Sequence, residues 1–140
     1  MALSLTTMAK NVDDFEVTFE LLESDGSGVD LSRKVRTMPY VTEGKAQTLR
    51  ISIVPPNDEI YSYYSISYLP GKPKTLEGYE ESEQREDFDA GYVSSTRLIQ
   101  GKGVNYFTLH EGDPAGEYRI EVYINDRRFR IFKFYVAKDD

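Results

Sequence analysis

The chain of 140 residues contains no cysteine and no tryptophan, and its one histidine is His110. Without cysteine there is no disulfide, no thiolate nucleophile and no cysteine-based zinc site. His110 ends an apolar run beside Glu111 and Asp113, with no second imidazole to join it in metal binding or acid–base work. No serine sits in a G-x-S-x-G context, and Gly101-Lys102-Gly103 lies between strand-like runs with no helix N-terminus to follow. These absences leave no catalytic residue and no metal or cofactor to expect. No stretch approaches the roughly 18 to 20 apolar residues of a membrane span. The opening MALSLTTMAK has neither a charged leader nor an apolar segment of about 7–15 residues. Taken literally the chain reads as cytoplasmic; an upstream signal peptide, once removed, would make it periplasmic or extracellular.

Acidic residues are not scarce, but they are unevenly placed. The formal net charge is −7. Residues 77–89 hold seven acids against the single base Arg85, so the rest of the chain is nearly neutral. A basic surface is missing, which argues against nucleic acid or an anionic membrane as partner. The segment at about 77–90 lacks periodicity and reads as a mobile excursion between strands. Its carboxylates, among them Glu80, Glu81, Glu83, Glu86 and Asp87, are candidates for docking a basic partner or holding cations weakly. A mobile loop would hold a hydrolytic carboxylate pair in geometry poorly. The loop Glu23–Asp30 also offers acids. It departs from the EF-hand spacing, since Gly28 takes the fourth position and Arg36 the twelfth, so it reads as a hairpin loop.

What the sequence does have is tyrosine and phenylalanine, 11 and 7 respectively, and both favour strands. Residues 1–13 are unpatterned and expected to be a flexible segment, with a single domain over 14–140. Phe15, Val17, Phe19 and Leu21 alternate with Glu16, Thr18 and Glu20, the period-two signature of a half-buried strand. Leu49, Ile51 and Ile53 repeat it. Further strands are expected near 60–69, 92–99, 104–110, 117–124 and 128–137, with a doubtful basic edge strand near 31–38. In 60–69 the phase holding Ile66 is taken as inward, which places Tyr61 and Tyr63 outside. Long helical periodicity is absent. The expected fold is all-β, an antiparallel sandwich of about seven strands.

The clearest local pattern is Gly116 to Val136. Tyr118, Ile120, Val122 and Ile124 alternate with polar residues, and Asn125-Asp126 supply the two left-handed positions of a tight hairpin turn. The run Pro114-Ala115-Gly116-Glu117-Tyr118-Arg119-Ile120-Glu121-Val122 resembles the penultimate strand of bacterial immunoglobulin-like domains. The resemblance covers about the last 25 residues. It implies an immunoglobulin-like sandwich, with Tyr118 as a corner tyrosine bonded to nearby backbone, and an accessory, adhesive, carrier or assembly role. Across a two-residue turn Val122 should face Phe129 and Glu121 should face Arg130. Strict alternation would then send Phe132, Phe134 and Val136 outward, in phase with Arg128 and Arg130. A β-bulge near Ile131–Lys133 is the predicted remedy.

Three candidate surfaces follow. Tyr61, Tyr63 and Tyr123 could stack on sugar or anchor an interface. Arg127, Arg128 and Arg130 form a small basic cluster suited to an acidic partner, including the 77–89 segment of another copy. An exposed strand edge could support homo-oligomers. The expected function is a non-catalytic binding or assembly module for a protein partner. A carbohydrate-binding module using exposed tyrosines is the alternative, and a β-sandwich enzyme comes third.

Overall fold

In the computed structural model, residues 14–23, 25–31, 37–40, 46–72, 83–84 and 91–138 are described. The N-terminal segment 1–13, the basic residues Arg33, Lys34 and Arg36, and Glu80, Glu81, Glu86 and Asp87 lie outside them. The elements are β1 (Glu16–Leu22), β2 (Gly28–Asp30), β3 (Thr37–Met38), β4 (Gln47–Val54), β5 (Ile60–Tyr68) and β6 (Glu83–Gln84). They continue with β7 (Gly91–Val93), β8 (Arg97–Gln100), β9 (Gly103–Leu109), β10 (Gly116–Ile124) and β11 (Arg127–Val136). Among the described residues there is no α-helix.

Two sheets form. The smaller runs β2-β1-β4-β9; the larger runs β3-β11-β10-β5-β7-β6, with β8 also on β5. Every pairing is antiparallel except the two-residue β3–β11 contact, which is parallel. This is the expected immunoglobulin-like sandwich. The seven expected strands appear close to their predicted bounds, with short additional pieces. One of these, β6, falls inside the acidic stretch, where no strand was expected; Glu83 pairs with Val93 and Gln84 with Tyr92. The strand expected over 92–99 is broken into β7 and β8, both alongside β5. At the break the Ser94 side chain replaces a backbone acceptor: Ser65 N–H donates to Ser94 Oγ at 2.8 Å, and Ser94 N–H donates to Ser65 O at 2.8 Å.

The core lies between the sheets, as period-two alternation requires. Phe15, Phe19, Leu49, Ile51 and Ile53 supply one layer, and Ile120, Val122, Ile124, Phe132 and Phe134 the other. Their rings interlock: Phe19 stacks on Phe132 with centroids 4.8 Å apart, and Tyr118 on Phe134 at 5.0 Å. Buried aromatic pairs of this kind add about 0.5–1.5 kcal/mol beyond the area they remove from water.

The final hairpin keeps its expected turn. Asn125 and Asp126 have φ of 49° and 64°, both left-handed. Asn125 does more than turn the chain, because its Oδ1 accepts the Ser62 N–H at 2.9 Å and ties the hairpin to β5. The phase conflict is resolved by an irregularity, but three residues earlier than predicted. The register shifts between Val122 and Tyr123, where Val122 pairs with Arg130 and Tyr123 with Arg128, leaving Phe129 as the extra residue. Beyond it Glu121 faces Ile131 rather than Arg130, and Ile120 faces Phe132. Phe132, Phe134 and Val136 are thereby buried and Ile131 is exposed. The Phe129 ring stays against the core, 5.6 Å from Phe15.

Candidate functional site

Tyr118 behaves as a corner residue. Its ring is buried and its hydroxyl donates to the Pro114 carbonyl, four residues upstream, at 2.6 Å. Burial first, and then the negative charge of Asp113, holds this phenol well above its ordinary range. Gly116 permits the corner: its φ is +126°, and a Cβ there would lie 2.8 Å from the Pro70 Cβ.

The placement of β5 corrects the expectation for its tyrosines. Tyr61 and Tyr63 face the core and are 4% and 1% exposed. Tyr61 packs edge-on to Phe15 at 4.9 Å. The inward phase is Tyr61, Tyr63, Ser65, Ser67, and the serines made that phase look like the wet one. β5 is an interior strand, so its outer phase is also largely covered: Ile66 is 6% and Tyr68 9% exposed. The amphipathic tyrosine side chain suits either side, so alternation alone could not choose.

Of the three candidate tyrosines only Tyr123 lies on the outer face of the larger sheet. Its ring stacks on Tyr64, 4.7 Å between centroids and 6° from parallel. Its hydroxyl donates to Glu121 Oε1 at 3.1 Å, and burial followed by the Glu121 charge raises its pKa. Glu121 is itself buried and sits 3.4 Å from Arg128 Nη1 and 3.7 Å from Arg119 Nε. Arg119 in turn lies over the Tyr68 ring at 4.2 Å. Tyr68, Arg119, Glu121, Tyr123 and Tyr64 thus form one polar–aromatic network across β5 and β10. Tyr64, Arg119 and Glu121 were not among the expected site residues. The alternation Arg119-x-Glu121-x-Tyr123 in the outward phase was the available signal.

The basic cluster is only partly gathered. Arg128 joins Glu121, whereas Arg130 comes into register with inward-facing Val122 and lays its guanidinium over the Phe129 ring at 4.7 Å. Arg127 stands exposed beside the turn. Arg128, Phe129, Arg130 and Ile131 together line a shallow depression of about 410 Å³. A second depression of about 390 Å³ lies on the same face against Tyr64, Ile66, Val93 and Tyr123. Glu83 contributes backbone pairing to β6.

A third concavity, of about 310 Å³, opens between the sheets where β9 faces β5 and the β7–β8 break. Ser65, Ser67, Arg97, Asn105 and Thr108 give it a polar wall, Ile51 and Ile120 an apolar floor, and His110 stands at its rim. His110 and Asp113 are locked by reciprocal bonds: His110 N–H donates to Asp113 Oδ2 at 2.8 Å, and Asp113 N–H donates to the His110 carbonyl at 3.1 Å. Among the described residues, no group of three or more His, Asp or Glu side chains could hold a metal ion. The loop Glu23–Asp30 is a hairpin in which Asp25 Oδ1 accepts from the Ser27 amide at 2.9 Å and hydroxyl at 2.6 Å. These bonds, the hydroxyl one foremost, hold the Asp25 carboxyl below its usual range. Among the described residues, no helix is long and apolar enough to cross a membrane.

Residues 17–137 match the family model described as the PM0630 beta sandwich domain. The chain belongs to that family. No curated protein matches the sequence. Among solved structures it is similar to an immunoglobulin-like protein from Pseudomonas aeruginosa, with a TM-score of 0.53, 14% identity, and coverage of 87% of this chain and 92% of that one. At that identity the likeness concerns the fold. It is also similar to Pseudomonas fluorescens alkylpurine DNA glycosylase AlkC bound to DNA containing an abasic site analogue, at TM-score 0.44 and 10% identity. A beta-glucosidase from Listeria innocua in complex with glucose follows, at TM-score 0.46 and 9% identity. The match covers 96% of this chain but 36% of the glycosylase, and 89% of this chain but 16% of the glucosidase.

Proposed function

We propose that this PM0630-family domain is a non-catalytic binding module. It would engage a protein partner through the outer face of β5, β10 and β11, near the hairpin. The observation that carries the reading is the composition of that face. The stacked Tyr64–Tyr123 pair is flanked by Arg128 and by Ile131, which is 41% exposed, in a chain whose net charge is −7. Tyrosine and arginine beside an exposed aliphatic anchor are the residue types that carry binding energy in protein interfaces. The exposed Arg127 and Arg130, on either side of the Arg128–Glu121 pair, favour an acidic partner surface. A second copy is one such partner, through its acidic 77–89 segment. The stacked pair turns one ring face of each tyrosine against the other, which suits an interface anchor better than a sugar platform.

The test compares wild type with Ile131→Glu and Arg130→Glu, both exposed positions whose change leaves the core intact. Sedimentation reads self-association, and affinity capture from the native host reads foreign partners. Expected is a species bound by wild type and lost, about tenfold or more, in the double variant. Equal capture and equal sedimentation for both proteins would refute the assignment of this face.

A further inference from the structure

The concavity between β9 and the β5–β7 edge breaks the rule that builds the rest of the sandwich. Core-facing positions are apolar along β4 and β10. On β5 the inward phase changes from Tyr61 and Tyr63 to Ser65 and Ser67, which are 3% and 8% exposed. On β9 the inward position opposite Ile51 is Asn105. Three polar side chains thus face one another where two sheets should bury hydrocarbon. Burial of such groups costs free energy unless each is hydrogen-bonded, so their presence needs a compensating use.

Their bonding is incomplete. Asn105 Nδ2 donates to Ser65 Oγ at 3.4 Å, and Asn105 Oδ1 accepts from Arg97 Nη2 at 3.2 Å. Arg97 Nη2 also donates to the Val104 carbonyl at 3.2 Å. These contacts hold the guanidinium at the mouth and commit only one of its nitrogens. The buried Tyr63 hydroxyl lies beside Asn105 and Ser65 but, among the described residues, forms no well-made hydrogen bond. The Ser67 hydroxyl reaches the concavity, and no hydrogen bond to it is formed among the described residues. Among the described residues no carboxylate lines the space. Tyr106, 57% exposed, stands at the rim.

We propose that this cleft is a binding site for a small hydroxylated carboxylate of about the size of a hexuronic acid. Arg97 meets the carboxylate, because it stands at the mouth and, among the described residues, two of its nitrogens make no hydrogen bond. Ser65, Ser67 and Asn105 meet the ligand hydroxyls, and Ile51 and Ile120 lie under the ring. The volume of about 310 Å³ stands at the low end of the roughly 300–1,000 Å³ of ligand pockets, which fits one ring and not an oligomer. This site is separate from the Tyr64–Tyr123 face and does not depend on it.

The test is an amide-resolved NMR titration of the full chain with sodium D-glucuronate and, separately, D-glucose. Glucuronate should give saturable shifts confined to Ser65, Ser67, Arg97, Asn105 and their neighbours, at a Kd of about 1 mM or tighter. Glucose should bind about tenfold or more weakly, for want of the charge-assisted bond. Arg97→Gln should weaken glucuronate about tenfold or more and leave glucose unchanged. Ser67→Val should weaken both, and it should also raise the thermal midpoint of the unliganded protein. No localised shift at about 10 mM of either probe would overturn the proposal. So would equal binding of the two probes with Arg97→Gln silent.

Discussion

Tyr63 and Tyr118 permit one chemical change to be made twice with opposite expected results. Each is 1% exposed, and each ring belongs to the same core. Replacing either by phenylalanine removes one oxygen and leaves the ring. At Tyr118 the lost hydroxyl is a short donor to the Pro114 carbonyl, so Tyr118→Phe forfeits a bond and strands an acceptor. That should cost about 1–2 kcal/mol. At Tyr63 the hydroxyl is desolvated and, among the described residues, has only Asn105 and Ser65 nearby with no well-made hydrogen bond, so Tyr63→Phe relieves a penalty and should stabilise by about 1 kcal/mol. For a chain of 140 residues each kcal/mol moves the thermal midpoint by about 3–4 °C. The two variants should therefore lie on either side of wild type, separated by roughly 6–12 °C, in melts followed by circular dichroism. A Tyr63→Phe variant as destabilised as Tyr118→Phe would mean that the Tyr63 hydroxyl has a bonded partner. It would also remove one support from the proposed ligand site.

Two other outcomes can be stated. Burial raises the pKa of Tyr63, Tyr92, Tyr118 and Tyr123 above the ordinary 10.0. With the folded pKa raised, the unfolded chain loses these protons first, so stability is full below about pH 10 and falls as pH rises beyond it. Urea midpoints measured across that range should fall in wild type and fall less steeply in Tyr118→Phe; a flat profile would contradict the burial. Deleting Phe129 removes the extra residue while Arg130 stays opposite Val122, so Phe132, Phe134 and Val136 should remain buried. The cost should be that of the half-buried Phe129 ring, about 1–3 kcal/mol, read from the thermal melt. A deletion variant whose amide dispersion collapses would refute this register.

Much of the architecture was legible because each strand carries its own period. Phe15 to Leu21, Leu49 to Ile53 and Tyr118 to Ile124 each name their buried side without reference to the rest of the chain. The turn at Asn125-Asp126 was legible for a similar reason: left-handed backbone angles are a local property, and these two residues tolerate them. The candidate site was less legible. Tyr61 and Tyr63 were misplaced because a tyrosine is apolar along its ring and polar at its tip, and the decision between faces belonged to neighbouring strands. Glu121 was expected to meet Arg130, but a single extra residue on the partner strand gave it Arg128 instead.

The sequence alone determined the all-β class, the strands and their approximate bounds, the corner at Tyr118 and the tight final turn. These depend on side-chain alternation and on backbone angles within a few residues. Only the tertiary structure decided which face of β5 is inner, where the bulge falls, and that Ser65, Ser67 and Asn105 meet across the sandwich. The first and last depend on segments some 40 to 60 residues apart, and the bulge on pairing across the final hairpin; a period of two read along one strand carries no information about its partner.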